Sequence, residues 1–294
     1  MKPAAFEYIA PVTVEEALEA LGGSGKDARV LGGGQSLVPM MNFRLAQPEL
    51  LIDLNRISEL AGIAIREDGV VRIGAMTRHR TVELSPEIRE CLPLLHEAMP
   101  YIAHVQIRNR GTIGGSLAHA DPAAEWPALC FALDATIVAR SSSGSREIPA
   151  TEFPLGILTT ALEPDEIIAE VLFPHQPAGR RYGFQEISRR RGDFALTGVA
   201  CTLDLNADGV VDASRIAIFG VDDIPLLSAE AVDALTGNTM TDVLAREAGR
   251  AAAAAINPRS DLHASSEYRT QLIETLVYRA LKQAAGADLL KDVA

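Results

Sequence analysis

Five consecutive residues, Gly32-Gly33-Gly34-Gln35-Ser36, constrain this chain more than any other stretch. Three adjacent glycines carry no Cβ, so the backbone can adopt positive φ and approach another group closely. Successive amides in such a turn form a concave array of N–H donors suited to anionic oxygens. Gln35 adds a side-chain amide and Ser36 a hydroxyl. The segment follows a strand signal at 28–31 and precedes an apolar stretch, 37–45, that reads as a short helix. Its spacing is neither the dinucleotide pattern GxGxxG nor a Walker A loop. Two readings stand at this point: a phosphate cradle, and a tight strand-to-helix turn with no ligand.

A second glycine-rich segment, Gly111-Thr112-Ile113-Gly114-Gly115-Ser116, has the same character. Its glycines free amides to face an anion, and Thr112 and Ser116 offer hydroxyls. His119, Asp121 and Glu125 follow. Asp121 reads equally as a cap for the segment to Leu129 and as a ligand contact. His119 is either structural or packed near a cofactor, and no second histidine lies at metal-ligand spacing. A diphosphate needs donors from more than one direction, so two such turns in one domain fit a dinucleotide better than a monophosphate. Their convergence in space is the condition the fold must meet.

The first 60 residues read as a small α/β unit. Thr13 and Glu16 form a capping box before the stripe Val14, Ala17, Leu18 and Leu21, and a strand is expected at 50–54. A strand at 69–76 has a hairpin partner at 62–66 across Asp68-Gly69. A helix at 93–103, a buried apolar segment at 126–133, strands at 135–140 and 167–173, and a polar turn at 141–146 complete this half. A Pro- and Gly-containing linker is expected at 174–181. Strands at 198–205 and 214–219, joined through Asp208-Gly209, then precede helices at 241–256 and 266–285, the signature of an α+β domain.

The chain has 294 residues, 48% apolar, with 27 basic against 39 acidic side chains. A net charge of -12 does not attract a phosphate backbone, so nucleic acid is not an expected partner. Arg189-Arg190-Arg191-Gly192-Asp193-Phe194 is read as an anchor of the second domain on the first, or with Asp193 facing a ligand. Cys91, Cys130 and Cys201 lie far apart with no CxxC, iron–sulfur or zinc spacing, and read as buried thiols in a reducing compartment. No apolar run of about 18 residues and no signal-peptide core occur, so a cytoplasmic protein without a membrane span is expected. GxSxG is absent, which leaves a hydrolase without support.

Five segments together carry a resemblance: LGGGQSLVPMMNFRLAQPELLIDLNRI at 31–57, IGAMTRH at 73–79, IRNRGTIGGSLAHADPAAEWPAL at 107–129, TALEPDEII at 160–168 and FQEISRRRGDFALTGVA at 184–200. Over almost its whole length the chain resembles the FAD-binding medium subunit of the molybdenum hydroxylases, the xanthine dehydrogenase and carbon monoxide dehydrogenase group. The resemblance implies an α+β protein. A two-subdomain α/β FAD-binding domain of the vanillyl-alcohol-oxidase/PCMH type would span 1–176, with subdomains about 1–57 and 58–176. A smaller α+β C-terminal domain would span 177–290.

It further implies FAD contacts from Leu31 through Leu37, from Thr77, from Gly111 through Ser116, and from His119, Asp121, Glu125, Leu162 and Phe184. Both glycine turns would hold the diphosphate, Asp121 and Glu125 would face the adenosine side, and Leu162 would lie beside the isoalloxazine. Family members often carry Asn at the position of Ser116 and Asp at that of Glu125. Some carry a lysine after the aromatic at 184, where this chain reads Gln185-Glu186. No catalytic or metal-binding residue is implied here.

The resemblance also implies partners, assembled as a dimer of heterotrimers. A large subunit would hold a molybdenum-pterin cofactor and oxidise substrate; a small subunit would hold two [2Fe–2S] clusters. This chain would pass electrons from those clusters through FAD to an external acceptor. Two alternatives are a stand-alone FAD-dependent oxidoreductase related to the enolpyruvyl-sugar reductases and a flavin-free structural subunit. Gly114→Glu is expected to lower FAD occupancy by placing a carboxylate beside the diphosphate.

Overall fold

The computed structural model describes residues 1–23 and 25–286. The chain opens with β1 (Glu7–Ile9), α1 (Val14–Gly23), β2 (Ala28–Leu31), α2 (Leu37–Asn42) and β3 (Leu50–Asp53). Strands β4 (Ile63–Ile65) and β5 (Val71–Gly74) lead into six short helices: α3 (His79–Leu84), α4 (Pro86–Cys91), α5 (Pro93–Ala98), α6 (Val105–Arg108), α7 (Ile113–His119) and α8 (Glu125–Ala132). Then come β6 (Thr136–Ser141), β7 (Gly144–Pro149), β8 (Pro154–Gly156), β9 (Thr159–Thr160) and β10 (Ile167–Phe173). The last part holds β11 (Arg181–Ser188), β12 (Ala195–Leu205), β13 (Val211–Phe219), β14 (Leu226–Leu227), α9 (Ala229–Leu235), α10 (Asp242–Ala255) and α11 (Ser266–Ala285).

These elements form two compact units. The N-terminal unit takes residues 1–85, 104–120 and 135–174. It contains a parallel sheet in the order β1-β3-β2 and an antiparallel sheet in the order β4-β5-β10-β6-β7. Helix α1 starts where its signature says: Thr13 Oγ1 accepts from the Glu16 amide at 3.2 Å. The Glu16 carboxylate accepts from Val12 at 2.8 Å, one residue before the usual capping-box partner. Val14, Ala17 and Leu18 bury their stripe in one core with Leu50 and Ile52 of the parallel sheet and with Leu54, which opens the single helical turn after β3. Each large aliphatic side chain buried this way contributes roughly 1.5–3 kcal/mol.

In the second sheet the expected hairpin forms as β4 and β5, with Gly69 at φ 83 in the turn. The expected polar turn at 141–146 is mostly strand. β6 and β7 pair from Thr136↔Pro149 to Ser141↔Gly144, leaving Ser142 and Ser143 as the tip. The sequence of β7 is polar because it is an edge strand whose residues other than Ile148 are exposed.

The second unit takes residues 86–103, 121–134 and 175–286 of the described chain. Its antiparallel sheet runs β11-β12-β13-β14. Val199, Cys201 and Leu203 of β12 and Ile216 and Ile218 of β13 share one core with Leu272, Leu276, Val277, Ala280 and Leu281 of α11. Thr241 and Ser265 cap α10 and α11, accepting from the amides of Leu244 at 3.1 Å and Tyr268 at 3.2 Å. β11 begins at Arg181, so the expected linker ends where a strand starts. Residues 287–290, the end of the expected C-terminal domain, lie outside the described residues. No helix among the described residues is long and apolar enough to cross a membrane.

Candidate functional site: two facing glycine turns

Both glycine-rich segments lie in the N-terminal unit. The first leaves the C-terminal end of β2, a strand parallel to β3. Ligand sites in parallel α/β sheets form at that end. Gly34 has φ 74, a value that costs an L-residue strain. The amides of Gly33, Gly34, Gln35 and Ser36 meet no acceptor among the described residues. Gln35 turns its side-chain amide back to the Gly33 carbonyl at 3.0 Å. Ser36 precedes α2 without a side-chain cap bond, and its hydroxyl has no partner among the described residues. Leu31 and Val38 flank Gly34, while Leu31 and Leu37 are half-buried.

The second turn is built differently. Its amides hold the turn itself: Ile113 donates to Thr77 O at 3.2 Å, Gly114 to Ala75 O at 2.8 Å, and Ser116 to Thr112 O at 3.0 Å. Gly115 donates to Thr112 Oγ1 at 3.1 Å, which makes Thr112 the N-cap of α7. The idea that these glycines free amides for an anion therefore needs correction. A Cβ on Gly114 would stand 2.6 Å from the Ala75 Cβ, and one on Gly111 would stand 2.7 Å from the His79 ring. Those two glycines make room for protein. Gly115 is exposed and Ser116 half-buried, and the Ser116 hydroxyl has no partner among the described residues.

The two turns converge. A Cβ on Gly33 would run into the Arg110 carbonyl and stand 2.6 Å from the Gly111 Cα. One on Gly32 would stand 3.0 Å from Thr112 Oγ1, and one on Gly115 would stand 3.9 Å from the Gly33 amide nitrogen. Four unbonded amides and two free hydroxyls thus border one place of backbone-to-backbone contact. That donor set suits several anionic oxygens at once. A cavity of about 290 Å³ in the same unit is lined by Asn55, Met76, Thr77 and Arg78, among others.

The other expected contacts are placed as follows. Thr77 is buried; its hydroxyl accepts from Gly62 N at 2.9 Å and donates to Gly62 O at 3.1 Å, while its carbonyl accepts from Ile113 N of the second turn at 3.2 Å. His119 is half-buried at the end of α7, before Ala120 at φ 48. Leu162 is half-buried in the N-terminal unit, with its amide 3.4 Å from Thr160 Oγ1.

Asp121, Glu125 and Phe184 belong to the second unit. Asp121 accepts from the Ala123 amide at 2.9 Å in a local turn, and the N-cap of α8 is Ala124. Phe184 is 1% exposed, edge-on to Tyr101 at 5.0 Å and stacked near Phe219 at 6.1 Å. Glu125 is 5% exposed. Burial raises its carboxyl well above the usual range, and burial together with the charge of Glu125 raises Glu186 too. Glu186 Oε2 has no hydrogen-bond partner among the described residues. Arg189, Arg190, Arg191 and Asp193 are exposed between β11 and β12 and form no ion pair among the described residues, while Arg189 lies 3.2 Å from His263 Nδ1.

His79 was not foreseen as part of the site. It is 5% exposed, and its amide donates to Gly111 O at 3.0 Å. Burial first, then the charges of Arg108 and Arg78, pushes its pKa down to about 3. A neutral imidazole therefore packs against Gly111. The sequence signal was His79 beside Arg78 in a recognisable motif, with nothing to show which backbone it would support.

The family described as the FAD binding domain in molybdopterin dehydrogenase matches residues 4–176. The CO dehydrogenase flavoprotein C-terminal domain matches residues 182–284. The 6-hydroxypseudooxynicotine dehydrogenase complex subunit alpha of Paenarthrobacter nicotinovorans is 43% identical over 284 residues, 97% of this chain and 96% of that protein. The structure of a carbon monoxide dehydrogenase from Hydrogenophaga pseudoflava, lacking the Mo-pyranopterin moiety of its molybdenum cofactor, superposes with a TM-score of 0.93 at 42% identity. That match covers 97% of this chain and 98% of the other. Quinoline 2-oxidoreductase from Pseudomonas putida 86 gives a TM-score of 0.92 at 38% identity, with 97% and 98% coverage.

Proposed function

This chain belongs to the FAD-binding medium subunits of the molybdenum hydroxylases, and we propose that its two facing glycine turns hold the FAD diphosphate. It is an FAD-dependent electron-transfer subunit of the carbon monoxide dehydrogenase and xanthine dehydrogenase family. The observation that carries the site assignment is the contact between Gly33 and the Arg110-Gly111 backbone, beside four amides that have no acceptor among the described residues.

FAD supplies exchange between single-electron and paired-electron donors and acceptors. The residues here bind and orient it. Gly33 through Ser36 offer N–H groups to one part of the diphosphate, and the Ser116 and Ser36 hydroxyls offer O–H groups. The buried ring of His79 and the Thr112 cap keep the second turn rigid beneath them. The remaining expected contacts, His119, Asp121, Glu125, Leu162 and Phe184, belong to the same reading. Within it the FAD domain ends near residue 176 and the C-terminal domain begins at 177.

The complex would also contain a large subunit with a molybdenum-pterin cofactor and a small subunit with two [2Fe–2S] clusters, assembled in the cytoplasm as a dimer of heterotrimers. Substrate oxidation would occur on the large subunit. The names of the relatives support this division, since they are called medium chains or subunits of complexes. Coexpression with candidate large and small subunits from the same source and purification through a tag on this chain tests it. Stoichiometric recovery of three chains with iron, molybdenum and flavin is expected. Recovery of this chain alone, with substrate-dependent flavin reduction, would favour a stand-alone enzyme.

A further inference from the structure

Two side chains outside the set of FAD contacts connect the turns. Asn55 follows β3, and its amide donates to Asp53 Oδ1 at 2.8 Å, while Tyr8 donates to Asp53 Oδ2 at 2.6 Å. Asn55 Nδ2 donates to the Gly32 carbonyl at 2.9 Å and also to Asp53 Oδ1. Asn55 Oδ1 accepts from Arg78 Nη2, and Arg78 Nη1 donates to the Arg110 carbonyl. A continuous chain of hydrogen bonds therefore runs from the first turn to the residue that opens the second. We propose that Asn55 and Arg78 form a strap that fixes the spacing and the amide orientation of the two glycine turns, so that both are positioning residues for the cofactor.

The peptide geometry explains how the strap acts. In a trans peptide the C=O and the following N–H point in opposite directions. Holding the Gly32 carbonyl on Asn55 turns the Gly33 N–H to the opposite side, and that N–H has no acceptor among the described residues. Holding the Arg110 carbonyl on Arg78 keeps that oxygen against Gly33 and aims the Gly111 N–H at Ile107 O, 2.7 Å away. The strap thus removes two carbonyl oxygens from an anion's surroundings and leaves a donor exposed. Asparagine suits the middle position because it has two donors and an acceptor, and all are used. Arginine suits its position because its planar fork reaches two acceptors at once, which an ammonium point charge does not reproduce.

This inference rests on the diphosphate reading above, and the test separates the two. Flavin-fluorescence titration of the full chain, alone and in the assembled complex, compares wild type with Asn55→Asp, Asn55→Ala, Arg78→Lys and the Asn55→Ala/Arg78→Lys double variant. Asn55→Asp is nearly isosteric and still accepts from Arg78, but sets an oxygen against the Gly32 carbonyl. The strap predicts affinity losses of roughly tenfold or more for Asn55→Asp and Arg78→Lys. It predicts that the double variant loses no more than its worse parent, because each change cuts the same chain. Melting of the apo and FAD-loaded forms is followed in parallel.

Wild-type affinity in Arg78→Lys or Asn55→Asp overturns the strap while leaving the FAD assignment standing. Lower apo stability with unchanged affinity of the folded fraction also overturns it. If Arg78→Lys does not fold, Asn55→Asp alone decides. A wild type that takes up no FAD in either form overturns the diphosphate reading itself.

Discussion

Gly33 stands against the backbone carbonyl of Arg110 so closely that any side chain at position 33 would collide with it. This contact joins two segments far apart in sequence and sets the geometry of the site. Gly33→Ala should therefore separate the turns. Overpacking of this kind costs about 1–3 kcal/mol. The expected result is a lower melting temperature for the N-terminal unit together with loss of bound flavin, read from the flavin-to-protein absorbance ratio.

Gly114→Glu is a poor probe of cofactor binding, because a Cβ there meets Ala75 before any ligand. Ser116→Asp is the better one. Its side chain is half-buried at the end of the first turn of α7, and its hydroxyl has no partner among the described residues. A carboxylate near a helix N-terminus contributes about 0.3–1 kcal/mol. The variant should keep or slightly raise apo stability and weaken FAD binding. Equal FAD affinity in calorimetric titration would remove Ser116 from the site.

His79 links stability to pH. Its folded pKa, about 3, lies below its unfolded value, near 6.5. A depressed value means the contribution is fully present above the unfolded pKa and is lost as pH falls toward the folded one. Urea midpoints of the wild type should therefore drop between about pH 6.5 and pH 4. His79→Gln should flatten that part of the profile while carboxylate effects persist.

Glu125 and Glu186 act in the opposite sense within the second unit. Burial raises both carboxyls, and the charge of Glu125 raises Glu186 further. A raised value means the contribution is present below the unfolded pKa and is lost as pH rises through the folded one. Glu186→Gln should accordingly raise the melting temperature at alkaline pH, and the gain should vanish near about pH 4. A gain independent of pH would point to packing instead.

Much of this fold was legible because its signals are local. The Thr13 cap and Val14 stripe produced α1, and 28–31 and 167–173 became β2 and β10 at the expected positions. The helix α7 was not foreseen, since two glycines in Ile113–His119 have low helix propensity and the helix depends on the Thr112 cap and on packing over Ala75. Strand β11 was missed because its apolar residues, Tyr182, Phe184 and Ile187, do not keep a strict two-residue alternation. At the site, the glycines announced close backbone approach but not what approaches them. Gly33 meets another turn, Gly111 an imidazole and Gly114 an alanine. Asn55 and Arg78 lie in recognisable segments, but their pairing was not legible, because a hydrogen bond between distant residues leaves no local pattern.

Titration of the purified full chain with FAD tests most directly whether the two turns jointly hold the cofactor. Saturable binding of one flavin per chain, with bound-flavin absorption that Gly33→Ala and Ser116→Asp each diminish, is the predicted result. Stoichiometric binding that neither substitution alters would contradict it.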